Sequence, residues 1–437
     1  MKVHFEIDCC DICYSYLDGF KDNNIQFTTV EDADIICFIG CGYTQSRIFQ
    51  TYERLLYCLQ RKKDGSKIGV FGCPTNYSKF YEAIKNLPDI DLIAKGTGKK
   101  MQDDISNYLK SHLTREIKLL EIGCNLENPK RINIVVQDGC NNRCAFCKSN
   151  YLNLKLESRP IEDIIKIVKF ASEECSVNEV NISGLNPTQY GIDLYKSKKL
   201  TELIQSISSF SGVDTIFLDM LCVQDMTTEL VKEIVKNPKI KRVMIPIQSQ
   251  DDRLLRLMNR HNTAQEAENL FKFINRERPD IFLETIFLTC YPTETKDNIL
   301  KTAEFLNTVN ISNPNLSFYR YGTNEPTLKS ENIAVMTPQE IQELANYYLE
   351  IIVPIIEQQR KSLMSRPISG ILINRDKKYD YYSTIYRFAT EEYKVRTKRN
   401  KKKEMFNHST IKAKYLPSKK GALYKVAGDI TDGKVIE

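Results

Sequence analysis

Three cysteines on one short loop constrain this chain more than any other feature. Cys140, Cys144 and Cys147 lie in Asp138-Gly139-Cys140-Asn141-Asn142-Arg143-Cys144-Ala145-Phe146-Cys147. The loop follows the apolar, β-rich run Ile132-Asn133-Ile134-Val135-Val136 and precedes a helical stretch. A Cys-x3-Cys-x2-Cys spacing brings three thiolates close enough to hold three irons of a cubic 4Fe–4S cluster. Four thiolates saturate such a cluster, so three leave one iron open to a substrate or cofactor. Arg143 and Lys148 flank the thiols, which favours thiolate over thiol and partly offsets an anionic cluster. Zinc ligation or simple burial are the competing readings. Zinc loops, however, usually come as Cys-x2-Cys pairs with a distant second pair.

With 437 residues, the chain has apolar material for two to four domains. No run of 18 apolar residues is present, so no membrane span is expected. The start, Met1-Lys2-Val3-His4-Phe5-Glu6-Ile7-Asp8, carries charge where a signal peptide needs an apolar core, which points to a cytoplasmic protein. Fourteen cysteines in such a chain argue for metal or cluster ligation rather than disulfides. The net charge of +6 is unevenly spread. Residues 361–437 carry 19 Lys/Arg against 8 Asp/Glu, or +11, leaving the rest at −5. Lys394, Arg396, Lys398, Arg399, Lys401, Lys402 and Lys403 make up its densest run. A single run is often a solvated face; a whole segment at +11 is a better sign of a polyanionic partner.

The pattern divides into three blocks. Residues 1–125 read as an open α/β sheet, with strands at 3–7, 35–39, 68–71 and 90–93 and helices at 46–59 and 77–85. Cysteines follow three of these strands: Cys9 and Cys10, then Cys41, then Cys73. Strand C-termini of such sheets share one edge, where ligands bind. A lone cysteine is more often a buried small hydrophobe, but three at the same topological position favour a second cluster. Residues 128–355 repeat a strand–helix alternation, with strands at 132–136, 179–183, 215–219, 243–247, 282–288 and 315–319. Thr263-Ala264-Gln265-Glu266 and Thr337-Pro338-Gln339-Glu340 are capping boxes for two of the helices. Six β/α units suggest a parallel sheet curled into a partial (β/α)6 barrel, with its site at the C-terminal strand ends. Residues 365–437 read as a small antiparallel β domain with strands at 381–388, 409–415 and 422–427. The fold class is therefore α/β with a small β domain appended.

The sequence resembles the radical S-adenosylmethionine (SAM) methylthiotransferases. The cluster loop is similar to the radical SAM signature. Ala33-Asp34-Ile35-Ile36-Cys37-Phe38-Ile39-Gly40-Cys41 resembles the family's second cysteine segment, and Phe71-Gly72-Cys73 its third. In the first, Ile7-Asp8-Cys9-Cys10, Cys10 fits best as the ligand, with Cys9 and Cys13 competing. Glu157-Ser158-Arg159-Pro160, Asn181-Ile182-Ser183-Gly184-Leu185-Asn186 with Tyr190-Gly191, Ile245-Pro246-Ile247-Gln248-Ser249, Met258-Asn259-Arg260 and Tyr291-Pro292-Thr293-Glu294-Thr295 resemble further family segments. The departures are Gln250-Asp251 for Gly-Ser, Cys290 for Gly, Thr293 for Gly, and a tail without a clear pattern of the TRAM type.

What the resemblance implies is specific. The cluster at Cys140, Cys144 and Cys147 would bind SAM and generate a 5′-deoxyadenosyl radical. A second 4Fe–4S cluster at Cys10, Cys41 and Cys73 would carry the sulfur to be transferred, and a second SAM would methylate it. Phe146, Gly184, Gln248 and Arg260 are expected to line the cofactor site, with Arg320 beside them. Cys9, Cys13, Cys37, Cys58, Cys124, Cys175, Cys222 and Cys290 are left as packing residues, although Cys290 lies at a strand end facing the site. Known branches act on an N6-modified adenosine beside the tRNA anticodon or on a ribosomal-protein aspartate. The basic tail favours tRNA as partner; a peptide or ribosomal-protein side chain is the alternative, and a non-catalytic iron–sulfur RNA-binding protein the other class. A reductant such as flavodoxin or ferredoxin and a monomeric state are expected.

Overall fold

The computed structural model describes residues 2–8, 26–40, 45–96, 98–112, 130–147, 155–174, 177–319, 333, 336–364, 367–375, 379–388, 391–398, 408–412, 427–431 and 434–436. Two compact units emerge. One comprises Met1–Glu127, Arg131–Asn141 and Lys148–Leu185; the other comprises Asn128–Lys130, Asn142–Cys147 and Asn186–Glu437. No helix among the described residues is long and apolar enough to cross a membrane.

The first unit opens with strands β1 (Lys2–Asp8), β2 (Gln26–Phe27), β3 (Ile35–Gly40), β4 (Lys67–Gly72) and β5 (Ile90–Ile93). They form a five-stranded sheet in the order β2-β1-β3-β4-β5, parallel at every pair. Alternate residues of β3 serve opposite faces, as a period of two requires. Ile35, Cys37 and Ile39 join Met101, Ile105 and Leu109 of the helix Gly98–His112. Ile36 and Phe38 pack instead with Leu55 and Cys58 of the helix Gln45–Arg61 and Phe80 of the helix Ser78–Ile84. Helices on both faces explain why these strands read as unbroken apolar runs. The same unit holds β6 (Arg131–Asp138), a short antiparallel β7 (Glu157–Ser158) and β8 (Glu179–Gly184), with β6 and β8 parallel. Arg131 and Glu179 are register partners and form a buried ion pair at 2.8 Å.

In the second unit, β9 (Thr215–Leu218), β10 (Ile240–Met244), β11 (Phe282–Thr289) and β12 (Asn313–Phe318) pair in parallel in chain order. Helices intervene, three with N-caps formed by Thr227, Asp251 and Thr263. Strand β10 lies three residues earlier than the sequence suggests. Pro246 has no N–H to give the ladder, so pairing lapses there and resumes at an isolated bridge between Gln248 and Phe287. Arg242 is buried in this sheet. Its Nε lies 3.4 Å from Glu284 Oε2, its Nη2 4.0 Å from Asp219 Oδ2, and its guanidinium sits 4.2 Å over the Phe217 ring. Asn313 Nδ2 donates to the other Glu284 oxygen at 2.7 Å.

The C-terminal segment forms a closed barrel of β13 (Pro367–Arg375), β14 (Tyr379–Phe388), β15 (Glu391–Lys398), β16 (His408–Lys412), β17 (Ala427–Thr431) and β18 (Lys434–Ile436), ordered β13-β14-β15-β17-β18-β16. The pairs β15/β17 and β16/β18 are parallel, where an antiparallel unit was expected. Strands β13 and β15 are absent from the sequence reading, and its strand at 422–427 lies mostly outside the described residues.

Candidate cluster and cofactor site

Gly139 sets the start of the cysteine loop. Its φ is 67°, and a Cβ there would lie 1.8 Å from the Lys155 carbonyl oxygen, so only glycine fits. Cys140 follows in the first unit; Cys144 and Cys147 belong to the second. There the Cys147 N–H donates to the Cys144 carbonyl at 3.0 Å, closing a tight turn. The turn is tied down from the segment after the helix Asp252–Leu257. Ala145 N–H donates to Met258 O at 2.9 Å, and Asn259 Nδ2 to Arg143 O at 2.7 Å. Phe146 packs against a cluster of Leu254, Leu257, Met258, Leu288, Tyr291 and Tyr319, which shields this side of the loop from water.

Arg260 does not reach outward for a ligand. It is buried, with Nη2 donating to Pro246 O at 2.9 Å and Nη1 lying 3.8 Å from Cys144 Sγ. Its Nε has no hydrogen-bond partner. Burial pushes the Cys144 thiol up, and Arg260 pulls it back. Burial likewise works against the guanidinium charge, but Cys222, Cys144 and Asp225 outweigh it, so Arg260 stays firmly charged. A buried cation demands a compensating anion, and no carboxylate among the described residues forms an ion pair with it. Thiolates carrying an anionic cluster would meet that demand. Among the described residues no group of three metal-ligating side chains stands close enough to share one ion.

A polar network braces the loop from the other side, and sequence reasoning missed it. Asp225 Oδ2 accepts from Asn142 Nδ2 at 2.8 Å, Asn186 Nδ2 at 2.7 Å and Gln189 Nε2 at 3.1 Å. Gln189 Nε2 also donates to Asn142 Oδ1 at 2.9 Å. Asn142 Nδ2 lies 3.5 Å from Cys222 Sγ, which places this expected packing residue beside the loop. The available signal was that Asn186 ends the glycine-motif segment and Asp225 follows β9. Gly184 closes β8 in the first unit, paired with Gln137. Gln248 is buried with φ 68°, its N–H donating to Ile286 O at 2.8 Å and its carbonyl accepting from Leu288. Its backbone thus stitches β11 to the segment after β10.

The departures from the family pattern have physical readings. Cys290 (φ 57°) and Thr293 (φ 68°) adopt the left-handed conformation that glycine tolerates best. Arg253 braces Thr293, donating to its hydroxyl at 2.6 Å and its carbonyl at 2.8 Å. Asp251, standing where the family has Ser, caps its helix by accepting from Leu254 N at 3.0 Å. Cys290 is buried rather than facing a cavity, and its N–H donates to Glu294.

At the N-terminal sheet, the strand ends Asp8, Gly40 and Gly72 are register partners. The next residue is a cysteine each time: Cys9, Cys41 and Cys73. A Cβ on Gly72 (φ 97°) would lie 2.6 Å from Gly40 O, so glycine lets the two strand ends approach. Cys73 is half-buried against the sheet core. Cys9, Cys10, Cys13, Cys41, Cys124, Cys175 and Arg320 lie outside the described residues.

Comparison with known proteins agrees with this picture. Residues 134–306 match the Radical SAM superfamily. The chain is 31% identical over 285 residues to the ribosomal protein uS12 methylthiotransferase RimO of Carboxydothermus hydrogenoformans, covering 63% of this chain and 64% of that protein. It is 26% identical over 386 residues to the protein of the same name from Clostridium tetani, covering 84% and 81%. The fold is similar to that of the radical S-adenosylmethionine methyltransferase TsrM from Kitasatospora setae, with a TM-score of 0.52, 10% identity and coverage of 75% and 76%. The chain is thus similar, over its radical SAM region and most of its length, to radical SAM methylthiotransferases.

Proposed function

We propose that this chain installs a methylthio group at an unactivated C–H bond of a protein side chain, of the kind presented by a ribosomal protein. One juxtaposition carries the reading of a two-cluster enzyme: a braced three-cysteine loop in the same chain as three in-register strand ends, each followed by a cysteine. Cys140, Cys144 and Cys147 would hold the SAM-binding cluster. Cys41 and Cys73 would hold the second, with a third ligand from the first loop. The register favours Cys9, in step with Cys41 and Cys73, over the Cys10 expected from the motif. When bound, the clusters supply the electron that cleaves SAM and the sulfur that is transferred; the protein supplies binding and orientation. In that scheme Arg260 offsets thiolate charge, the Asn142–Asp225 network holds the loop, and the Phe146 cluster keeps water away.

The relatives named above act, by their names, on ribosomal protein uS12, which turns the expectation of tRNA toward a protein. The charge of the tail could not make that distinction, because any polyanion or plain solvation satisfies it. Incubating anaerobically reconstituted protein with SAM, a reductant and either uS12 or bulk tRNA tests the choice by mass spectrometry. A methylthio increment on the protein supports the reading; one on tRNA nucleosides alone refutes it.

A second reading keeps tRNA, on one observation. Lys394, Arg396 and Lys398 alternate along β15, and their partners on β14 are Ser383, Tyr381 and Tyr379. Cations are therefore register partners of tyrosines on the neighbouring strand, a residue pattern suited to single-stranded nucleic acid. Changing the three cations to Ser should reduce the slope of log K against log[salt] for tRNA by roughly 2–3 on that reading, and leave it unchanged on the first.

A further inference from the structure

Arg260 is a buried cation beside the cysteine loop. The residue is 7% exposed; its guanidinium donates to Pro246 O and places Nη1 3.8 Å from Cys144 Sγ. Among the described residues no carboxylate pairs with it, so its charge acts on the thiolates and on whatever they bind. At so short a distance, and away from water, a unit charge is only weakly screened. Reduction adds one negative charge to a cluster, and a fixed cation beside a ligand sulfur stabilises the reduced form more than the oxidised one.

We infer that Arg260 is a positioning residue that sets the reduction potential of the cluster held at Cys140, Cys144 and Cys147, through its contact with Cys144. The inference rests on that loop being a cluster site. It gives Arg260 a role distinct from holding the SAM carboxylate, ribose or substrate. Asn259 is its internal contrast: the neighbouring side chain ties the same loop through Arg143 O, but without charge.

The test is a redox titration of full-length, anaerobically reconstituted protein, followed by electron paramagnetic resonance. The relevant signal is the one missing from the Cys140→Ala/Cys144→Ala/Cys147→Ala variant. Arg260→Met should lower its midpoint by at least about 59 mV, equivalent to a tenfold loss in the one-electron reduction constant. Arg260→Lys should stay near wild type, and Asn259→Ala should lose iron faster without moving the midpoint. An unchanged midpoint in Arg260→Met overturns the inference. If that variant fails to hold iron, the Lys and Gln variants decide, differing in charge at similar length: equal midpoints overturn it. Loss of iron from all three also overturns it, because shape rather than charge would then be required. If wild type shows no signal that depends on the three cysteines, the cluster reading itself has failed.

Discussion

Glu294 should make stability fall with rising pH, and Glu294→Gln should remove that fall. The carboxyl is buried, accepting from Cys290 N at 2.5 Å and from the Tyr348 hydroxyl at 2.6 Å, the latter from the helix Pro338–Met364. Burial raises its pKa from 4.5 to about 7, against those hydrogen bonds and with help from Asp251. Below pH 4.5 it is protonated in both folded and unfolded chains and contributes no pH dependence. Between 4.5 and about 7 the unfolded chain releases the proton while the folded chain keeps it, so folding loses about 1.4 kcal/mol per pH unit. By pH 8 the accumulated loss is about 3 kcal/mol. Urea unfolding of both proteins at pH 5, 6, 7 and 8 isolates this effect, because every other titrating group cancels in the difference. Wild type should lose about 2.5 kcal/mol more than Glu294→Gln between pH 5 and pH 8, part of the total loss having already occurred by pH 5. Parallel profiles, or a wild type that gains on the variant as pH rises, would refute the argument.

Three further outcomes follow from the same coordinates. Glu284→Gln should destabilise the protein by about 3–5 kcal/mol in urea unfolding, because it leaves Arg242 buried without its nearest counter-charge. Asp225→Ala should lower iron retention after anaerobic desalting, since Asn142, Asn186 and Gln189 lose their shared acceptor; Lys166→Ala, at an exposed surface pair, should not. Reconstituted wild type should hold about eight irons, and Cys9→Ala should fall toward four more completely than Cys10→Ala, with the opposite order restoring the motif-based assignment.

Much of this protein was legible because its signals are local. The strands of the N-terminal sheet are buried on both faces, so each appears as a short apolar run at the right place. The cysteine loop is legible for a similar reason: its three cysteines fall within eight residues. The Asp225 network was not, since Asn142 and Asp225 stand 83 residues apart and nothing local marks their meeting. Strand β15 was misread as a charge run, although Lys394, Arg396 and Lys398 already alternate with Val395 and Thr397. β13 is hidden because Pro367 and Gly370, residue types that ordinarily mark turns, sit at its first and fourth positions. The burial of Arg260 beside Cys144 was not legible either, because Arg260 and Cys144 stand 116 residues apart.

The central claim is that Cys140, Cys144 and Cys147 hold a cluster that cleaves SAM. Quantifying 5′-deoxyadenosine from reconstituted protein, SAM and dithionite tests it most directly. Product is expected from wild type and from Cys73→Ala, and none from Cys140→Ala/Cys144→Ala/Cys147→Ala. Product from that triple variant, or none from iron-loaded wild type, would contradict it.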